Sequence, residues 1–169
     1  MVLLLALTAV PADAAPPLLT ITPGADLRFG TFAVFGSGSR TVTAQGAVVD
    51  NAIFSEPGSV TGPAEFLLSF DRGNESKFPI DVIIELVLSG PNMQQVGGVS
   101  GTVSAFTSDL PGAPVIVPGQ PVTVSMLRCP SRVCTRSFRV GGRLDVTKYH
   151  GGASLAIPLP IDATVVVVK

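Results

Sequence analysis

Short apolar segments separated by glycine and proline are the feature of this sequence that most restricts its fold. Apolar and polar residues alternate in "LTIT" from Leu19, in "AEFLLSF" from Ala64 and in "GGVSGTVSAFTS" from Gly97, which is the two-residue period of a half-buried β-strand. The chain also has 18 glycines and 15 prolines, the residues that most often form turns. No helical periodicity persists over three turns. The sequence therefore predicts an all-β protein, a single antiparallel β-sandwich.

Length and charge narrow the class of protein. The chain has 169 residues, enough for one domain with a hydrophobic core. Hydrophobic residues make up 46% and charged residues 14%, a balance that argues against a disordered chain. The formal net charge is -1, so no overall positive field attracts nucleic acid, and we expect no nucleic-acid partner.

The N-terminal segment has the composition of an export signal. Val2 to Val10 are almost entirely apolar, and Ala12-Asp13-Ala14 gives the small-x-small pattern that precedes cleavage. We expect residues 1–14 to be a signal peptide, residues 15–24 an N-terminal extension or first strand, and residues 25–169 the β-sandwich domain. The alternative is a buried N-terminal strand. Export would take the protein through the periplasm to the cell surface or the extracellular space.

Two cysteines lie close together in "RCPSRVC". Cys129 and Cys134 are near enough in sequence to bridge a tight loop. An oxidising compartment favours a disulfide, and we predict one here.

Motifs for catalysis or cofactor binding are missing from the sequence. Its one histidine, His150, stands in "KYHGG", where a solvent-exposed turn is expected, and no G-x-S-x-G element surrounds a serine. We therefore predict no enzyme activity, no metal and no cofactor. A small periplasmic hydrolase remains a weaker alternative.

Basic residues are concentrated in one region whose sequence pattern is typical of a β-hairpin. Phe138 and Val140 would lie on one arm, Leu144 and Val146 on the other, with Gly141-Gly142 at the bend. The functional interpretation is a basic patch for anionic surface glycan or lipid headgroups. The alternative is a solvated face whose charges protect apolar strands from aggregation. The arginines concerned are Arg128, Arg132, Arg136, Arg139 and Arg143.

The C-terminal segment "IDATVVVVK" is the most β-prone part of the chain. Strand alternation sends Ala163, Val165 and Val167 to one face, and Thr164, Val166 and Val168 to the other. Both faces are mostly apolar, so we expect the strand to be covered on both sides or central in a sheet. An uncovered edge of this kind is a template for aggregation. Either a strand of the same chain flanks it, or another molecule supplies one.

Four segments together resemble a known family of exported proteobacterial proteins, domain of unknown function 4402. They are "LTITPGADLRFGTFAV" from Leu19, "GSRTVTAQG" from Gly38, "AEFLLSF" from Ala64 and "RVGGRLDV" from Arg139, followed by the valine-rich end. The family resembles spore-coat-U-like proteins and the fimbrial subunits of chaperone–usher systems. The resemblance implies an incomplete, pilin-like immunoglobulin sandwich that borrows its last strand from a neighbour.

The resemblance implies an exported structural subunit of a surface fibre, pilus or coat. Its partners would be copies of itself, with a periplasmic chaperone and an outer-membrane usher. The predicted donor is Pro17 to Thr22, where Leu19 and Ile21 alternate as anchoring side chains. The alternative, which the sequence leaves open, is that this segment folds back onto the sheet of its own chain. A secreted β-sandwich module that binds surface glycan is the alternative function. The predicted acceptor residues are Ala163, Val165, Val166, Val167 and Val168.

Overall fold

The protein is built from antiparallel strands. The computed structural model describes residues 15–74, 79–90, 94–96, 98–148 and 152–169, and these residues form no helix. The strands are β1 (Leu18–Ala25), β2 (Leu27–Val42), β3 (Val48–Ser55), β4 (Ala64–Asp71), β5 (Ile80–Leu88), β6 (Gln94–Val96), β7 (Val99–Ser108), β8 (Val115–Ile116), β9 (Pro121–Cys129), β10 (Val133–Lys148), β11 (Gly152–Ile157) and β12 (Ile161–Val168).

The larger of the two sheets is organised around β10. The N-terminal half of β10 pairs with β4, while its C-terminal half pairs with both β2 and β7. Beyond these neighbours, β1 pairs with β4, β3 and β11 pair with β2, and β6 and β8 pair with β7. Every pairing is antiparallel, as the short turns of the sequence require.

The smaller sheet has the order β12-β5-β9 and packs against the larger one. In β5, Ile80, Val82, Ile84, Leu86 and Leu88 are buried and the residues between them are half-buried. This alternation points one face of β5 into a core that both sheets share. The prediction of an all-β antiparallel sandwich is confirmed.

The predicted hairpin bend at Gly141-Gly142 is wrong, because both glycines lie inside the continuous strand β10. A Cβ atom on Gly141 would lie 2.3 Å from the carbonyl oxygen of Val42, and one on Gly142 would lie 3.0 Å from Val103. The glycines therefore allow neighbouring strands to approach closely, which is the other common use of glycine in a strand.

The first strand, β1, continues through Pro23 and Gly24 to Ala25 and ends before Asp26. A register shift occurs between Pro23 and Ala25. Beyond Asp26 the pairing resumes, with the N–H of Arg28 donating to the carbonyl of Gly62 at 2.8 Å. Proline is tolerated here because β1 is an edge strand, where one row of backbone groups needs no strand partner.

A fully buried arginine ties β2 to β3. Arg40 Nε and Nη2 donate to the two carboxylate oxygens of Asp50 at 2.6 Å and 2.9 Å, and Nη1 donates to the carbonyl of Phe29 at 2.6 Å. Nη2 also donates to Ser55 Oγ, and the guanidinium lies 5.3 Å from the centre of the Phe32 ring. These contacts compensate a charge whose burial is otherwise costly.

Candidate functional site: the seam between the first and last strands

The last strand, β12, lies at an edge of the smaller sheet. It pairs with β5 along its length, and the pairing continues past Val168, where Asp81 and Lys169 exchange backbone hydrogen bonds of 2.8 Å and 2.9 Å. At the other end, the N–H of Ser89 donates to the carbonyl of Pro160 at 2.9 Å. Among the described strands, β5 is the one neighbour of β12, so none of them pairs with the outer row of its backbone groups.

The expectation that both faces of this strand are covered is wrong for one face. Val166 and Val168 are about half exposed, whereas Val165 is half-buried against the core. The register shifts between Val165 and Val167, which makes Val166 a β-bulge. Bulges are one of the devices that interrupt regular pairing at a sheet edge. The regular part of the open edge therefore runs from Ile161 to Val165.

Next to β12 lies β1, the edge strand of the larger sheet. Cα atoms of the two strands come within 8 Å of each other, although each belongs to a different sheet. Most of the partly buried hydrophobic side chains that pack against the core lie on these two strands. We call this place the β1/β12 seam, defined by Leu19 and Ile21 of β1 and by Ile161, Ala163 and Val165 of β12.

The predicted donor residues lie in this seam, within the chain's own fold. Leu19 pairs with Phe70 and Ile21 with Leu68 in the β1–β4 ladder. Thr20 Oγ1 also donates to the carbonyl of Ser69 at 3.4 Å. In the single chain, β1 therefore serves as a strand of its own sheet. Ile161, a seam residue, was not predicted, because only the fold shows where the last strand begins to contact the core.

The predicted disulfide is present between Cys129 and Cys134, whose Cα atoms are 5.9 Å apart. Cys129 ends β9 and Cys134 lies at the start of β10. The bond therefore links the smaller sheet to the larger one at one end of the sandwich. Closing so small a loop contributes about 2 kcal/mol by the chain-entropy estimate.

The predicted basic patch extends over β9, the turn that follows it and most of β10, where three of its five arginines lie. Three are paired with aspartates: Arg132 with Asp71, Arg139 with Asp109 and Arg143 with Asp145. Arg136 crosses between the sheets, where its Nη1 donates to the carbonyl of Ser125 at 2.7 Å. Arg128 lies in β9, and Arg136 and Arg143 are about 20 Å apart along β10. The fold thus gives the side chains of four of these arginines separate partners.

Other kinds of site find little support in the described part of the chain. There, no group of three or more His, Cys, Asp and Glu side chains is placed to hold a metal ion. Those residues also contain no helix that is long and apolar enough to cross a membrane. The predicted signal peptide and His150 lie outside the described residues.

Comparison with protein families places the chain in one of them. The model of the domain of unknown function 4402 family (DUF4402) matches residues 19–154. The chain therefore belongs to this family, as its sequence segments predicted. No curated protein matches the chain, and no solved structure matches it either.

Proposed function

We propose that this protein is an exported structural subunit of a bacterial surface fibre, pilus or coat, and that it self-associates by β-strand addition at the β1/β12 seam. The supporting observation is that no described strand pairs with the outer edge of β12, and that the side chains of the seam beside it are only partly buried. An added strand would satisfy the outer backbone groups of β12 and cover the half-buried side chains at the same time.

The order of strands in the smaller sheet also supports the proposal. In a complete immunoglobulin sandwich, strand F lies between strands C and G. Here β12 lies beside β5, in the manner of F beside C. Among the described strands, none lies on the side of β12 that strand G would occupy. A strand from another copy is the occupant that fits this position.

The partners of the basic residues give less support to a glycan-binding patch made from the five arginines. Three of them share their charge with aspartates, which lowers the net positive charge of the surface. We therefore favour self-association as the function of this domain.

A pair of matched variants tests the proposal. Thr164 of β12 and Thr123 of β9 are exposed, and each is the cross-strand partner of Glu85 on one side of β5. Thr164→Lys therefore adds a charge at the open edge of the seam, while Thr123→Lys makes the same change on the opposite edge strand of that sheet. Lysine at an edge disfavours pairing with another strand.

Assembly is measured by light scattering and by electron microscopy of the purified, exported protein. We expect Thr164→Lys to raise the concentration needed for assembly about fivefold, the equivalent of roughly 1 kcal/mol, and Thr123→Lys to leave it unchanged. Equal effects of both variants, or a wild-type protein that stays monomeric at all concentrations, would refute assembly at this edge.

Export by cleavage of the signal peptide predicts that N-terminal sequencing of the same material begins at or near Ala15. An intact Met1 would contradict this cleavage.

A further inference from the structure

A polar groove crosses the outer face of the larger sheet, on strands other than β1 and β12. The strand registers place Asn51 of β3 opposite Ser39 of β2, Ser39 opposite Asp145 of β10, and Asp145 opposite Thr102 of β7. All four residues line the groove, which has a volume of about 600 Å³. This volume lies within the range of small-molecule sites. Residues 39, 51, 102 and 145 thus meet only in the folded sheet.

An ion pair at the centre of the groove sets its charge. Arg143 Nε donates to Asp145 Oδ1 at 2.9 Å, and Ser104 Oγ donates to Asp145 Oδ2 at 3.1 Å. Both charged side chains remain about half exposed, so further N–H groups and oxygen lone pairs are open to a ligand. The pair has no net charge, which favours a neutral ligand that both donates and accepts hydrogen bonds.

Two exposed aromatic rings lie on β2 and β3, the strands that supply Ser39 and Asn51 to the groove. Phe35 is 83% exposed and Phe54 is 56% exposed, and their ring centres are 5.1 Å apart in an edge-to-face contact. Phe35 lies two residues before Ser37, a groove residue. Because the two rings are in contact, they form a small continuous apolar surface rather than two isolated exposed residues.

We propose that this groove binds a neutral oligosaccharide. One sugar ring would lie with its C–H face against Phe35 and Phe54, since aromatic rings offer an apolar surface of that size. Hydroxyl groups of a neighbouring sugar would donate to Asp145 and accept hydrogen bonds from Arg143 and Asn51. An anionic glycan is a less suitable ligand, because the balanced Arg143–Asp145 pair provides no excess positive charge to attract it.

Binding is measured by calorimetry on the full exported protein, with cello-, chito-, malto- and manno-oligosaccharides as neutral probes and oligogalacturonate as the acidic probe. The test variants are Asp145→Asn and the double variant Phe35→Ala/Phe54→Ala. The matched controls are Asp109→Asn, which alters another aspartate–arginine pair, and Leu127→Ala, which removes another exposed apolar side chain. Circular dichroism checks that each variant is folded.

We expect at least one neutral probe to bind, and each test variant to weaken its binding by about tenfold or more. Both controls should bind it as the wild type does. No binding of any neutral probe, preference for oligogalacturonate, or equal losses in test and control variants would overturn the proposal. If Phe35→Ala/Phe54→Ala abolishes assembly but no probe binds, the aromatic pair is a contact between copies, and the saccharide site is refuted. Normal assembly with lost saccharide binding would support this site without bearing on the seam.

Discussion

At the scale of single residues, Arg40 shows how a charge is accommodated in this core. Its side chain is fully buried, and both carboxylate oxygens of Asp50 accept hydrogen bonds from it. The sequence gives no sign of this role, because an arginine in "GSGSRTV" is more often exposed. The pairing depends on the β2–β3 register, which sets Arg40 opposite Asp50.

Removing the Arg40 side chain should be strongly destabilising. Arg40→Ala would leave Asp50 and the Phe29 carbonyl without their partner, and we expect the free energy of unfolding to fall by about 3–5 kcal/mol. Urea unfolding measures the change. The control is Arg139→Ala, which breaks an ion pair whose arginine is 43% exposed and should cost at most about 1 kcal/mol. Similar small losses in both variants would contradict the structural role of Arg40.

A second residue-scale prediction concerns Asp71 and acid pH. The Arg132 guanidinium donates to Asp71 Oδ1 at 3.0 Å, and the N–H of Gly73 donates to the same oxygen at 2.8 Å. In that order, these groups hold the pKa of Asp71 below its ordinary value of 3.8. Because the folded-state pKa is lowered, the contribution to stability is present above pH 3.8 and is lost as the pH falls through the folded-state pKa.

The pKa of Asp71 is measured by an NMR titration of its carboxyl carbon. Arg132→Gln should raise the pKa of Asp71 toward 3.8, because the larger of the two favourable interactions with the carboxylate is lost. Arg136→Gln serves as the control, since Arg136 donates to the carbonyl of Ser125 rather than to Asp71. An unchanged midpoint in Arg132→Gln would show that the guanidinium does not set this pKa.

At the scale of elements, β10 joins both halves of the larger sheet, and its glycines make this possible. It contacts β4 first and then runs between β2 and β7. The close approach to β2 occurs at Gly141, where no side chain separates the strands. The same two glycines that the sequence suggested as a bend are therefore packing positions in a long strand.

Adding one methyl group at Gly141 tests this interpretation. In Gly141→Ala the new Cβ would lie 2.3 Å from the Val42 carbonyl oxygen, so the strands must shift, and we expect a loss of about 1–3 kcal/mol. Gly36→Ala is the matched control, because a Cβ there has no atom within 4 Å and should change stability by less than about 0.5 kcal/mol. Thermal and urea unfolding measure both variants. Equal stability of the two would indicate a turn or a loosely packed strand at Gly141.

At the scale of the whole molecule, the two edge strands of the sandwich meet at the seam. In the single chain β1 pairs with β4, so donation of the N-terminal segment to another copy requires β1 to leave its own sheet. Exchange between identical copies would rebuild the β1–β4 pairing between two chains, whereas addition of β1 to the open edge of β12 would remove it from that pairing. Whether β1 pairs within a chain or between chains in the assembled protein is therefore a measurable property.

A cysteine pair across the β1–β4 ladder distinguishes the two arrangements. Thr20 and Ser69 are cross-strand partners, so Thr20→Cys/Ser69→Cys should form a disulfide. Strand exchange predicts covalent ladders on non-reducing gels of assembled material, since each bond then joins two copies. Assembled material without this disulfide is the result expected if β1 pairs with β12 of another copy, and cross-linked monomers alone would exclude β1 as the donor. Thr20→Cys alone is the control for random cross-linking and for exchange with the Cys129–Cys134 bond.

The sequence by itself determined the class of fold and the position of the disulfide. Two-residue alternation in segments such as Ala64–Asp71 depends only on local backbone geometry, so it predicted strands correctly. The spacing of Cys129 and Cys134 similarly limited them to a local bridge, which the structure contains. The family could be recognised at the same level, because its segments are continuous in the chain.

Tertiary structure alone decided which strands are neighbours, and therefore where the candidate sites lie. Residues 39, 51, 102 and 145 form one groove because four strands are paired in a particular register, and register depends on contacts between distant parts of the chain. For the same reason, the sequence showed that β12 is apolar on both faces but not that one of its edges stays open. Local periodicity predicts to which face of a strand a side chain points, whereas the pairing of strands across the sheet determines which residues that side chain contacts.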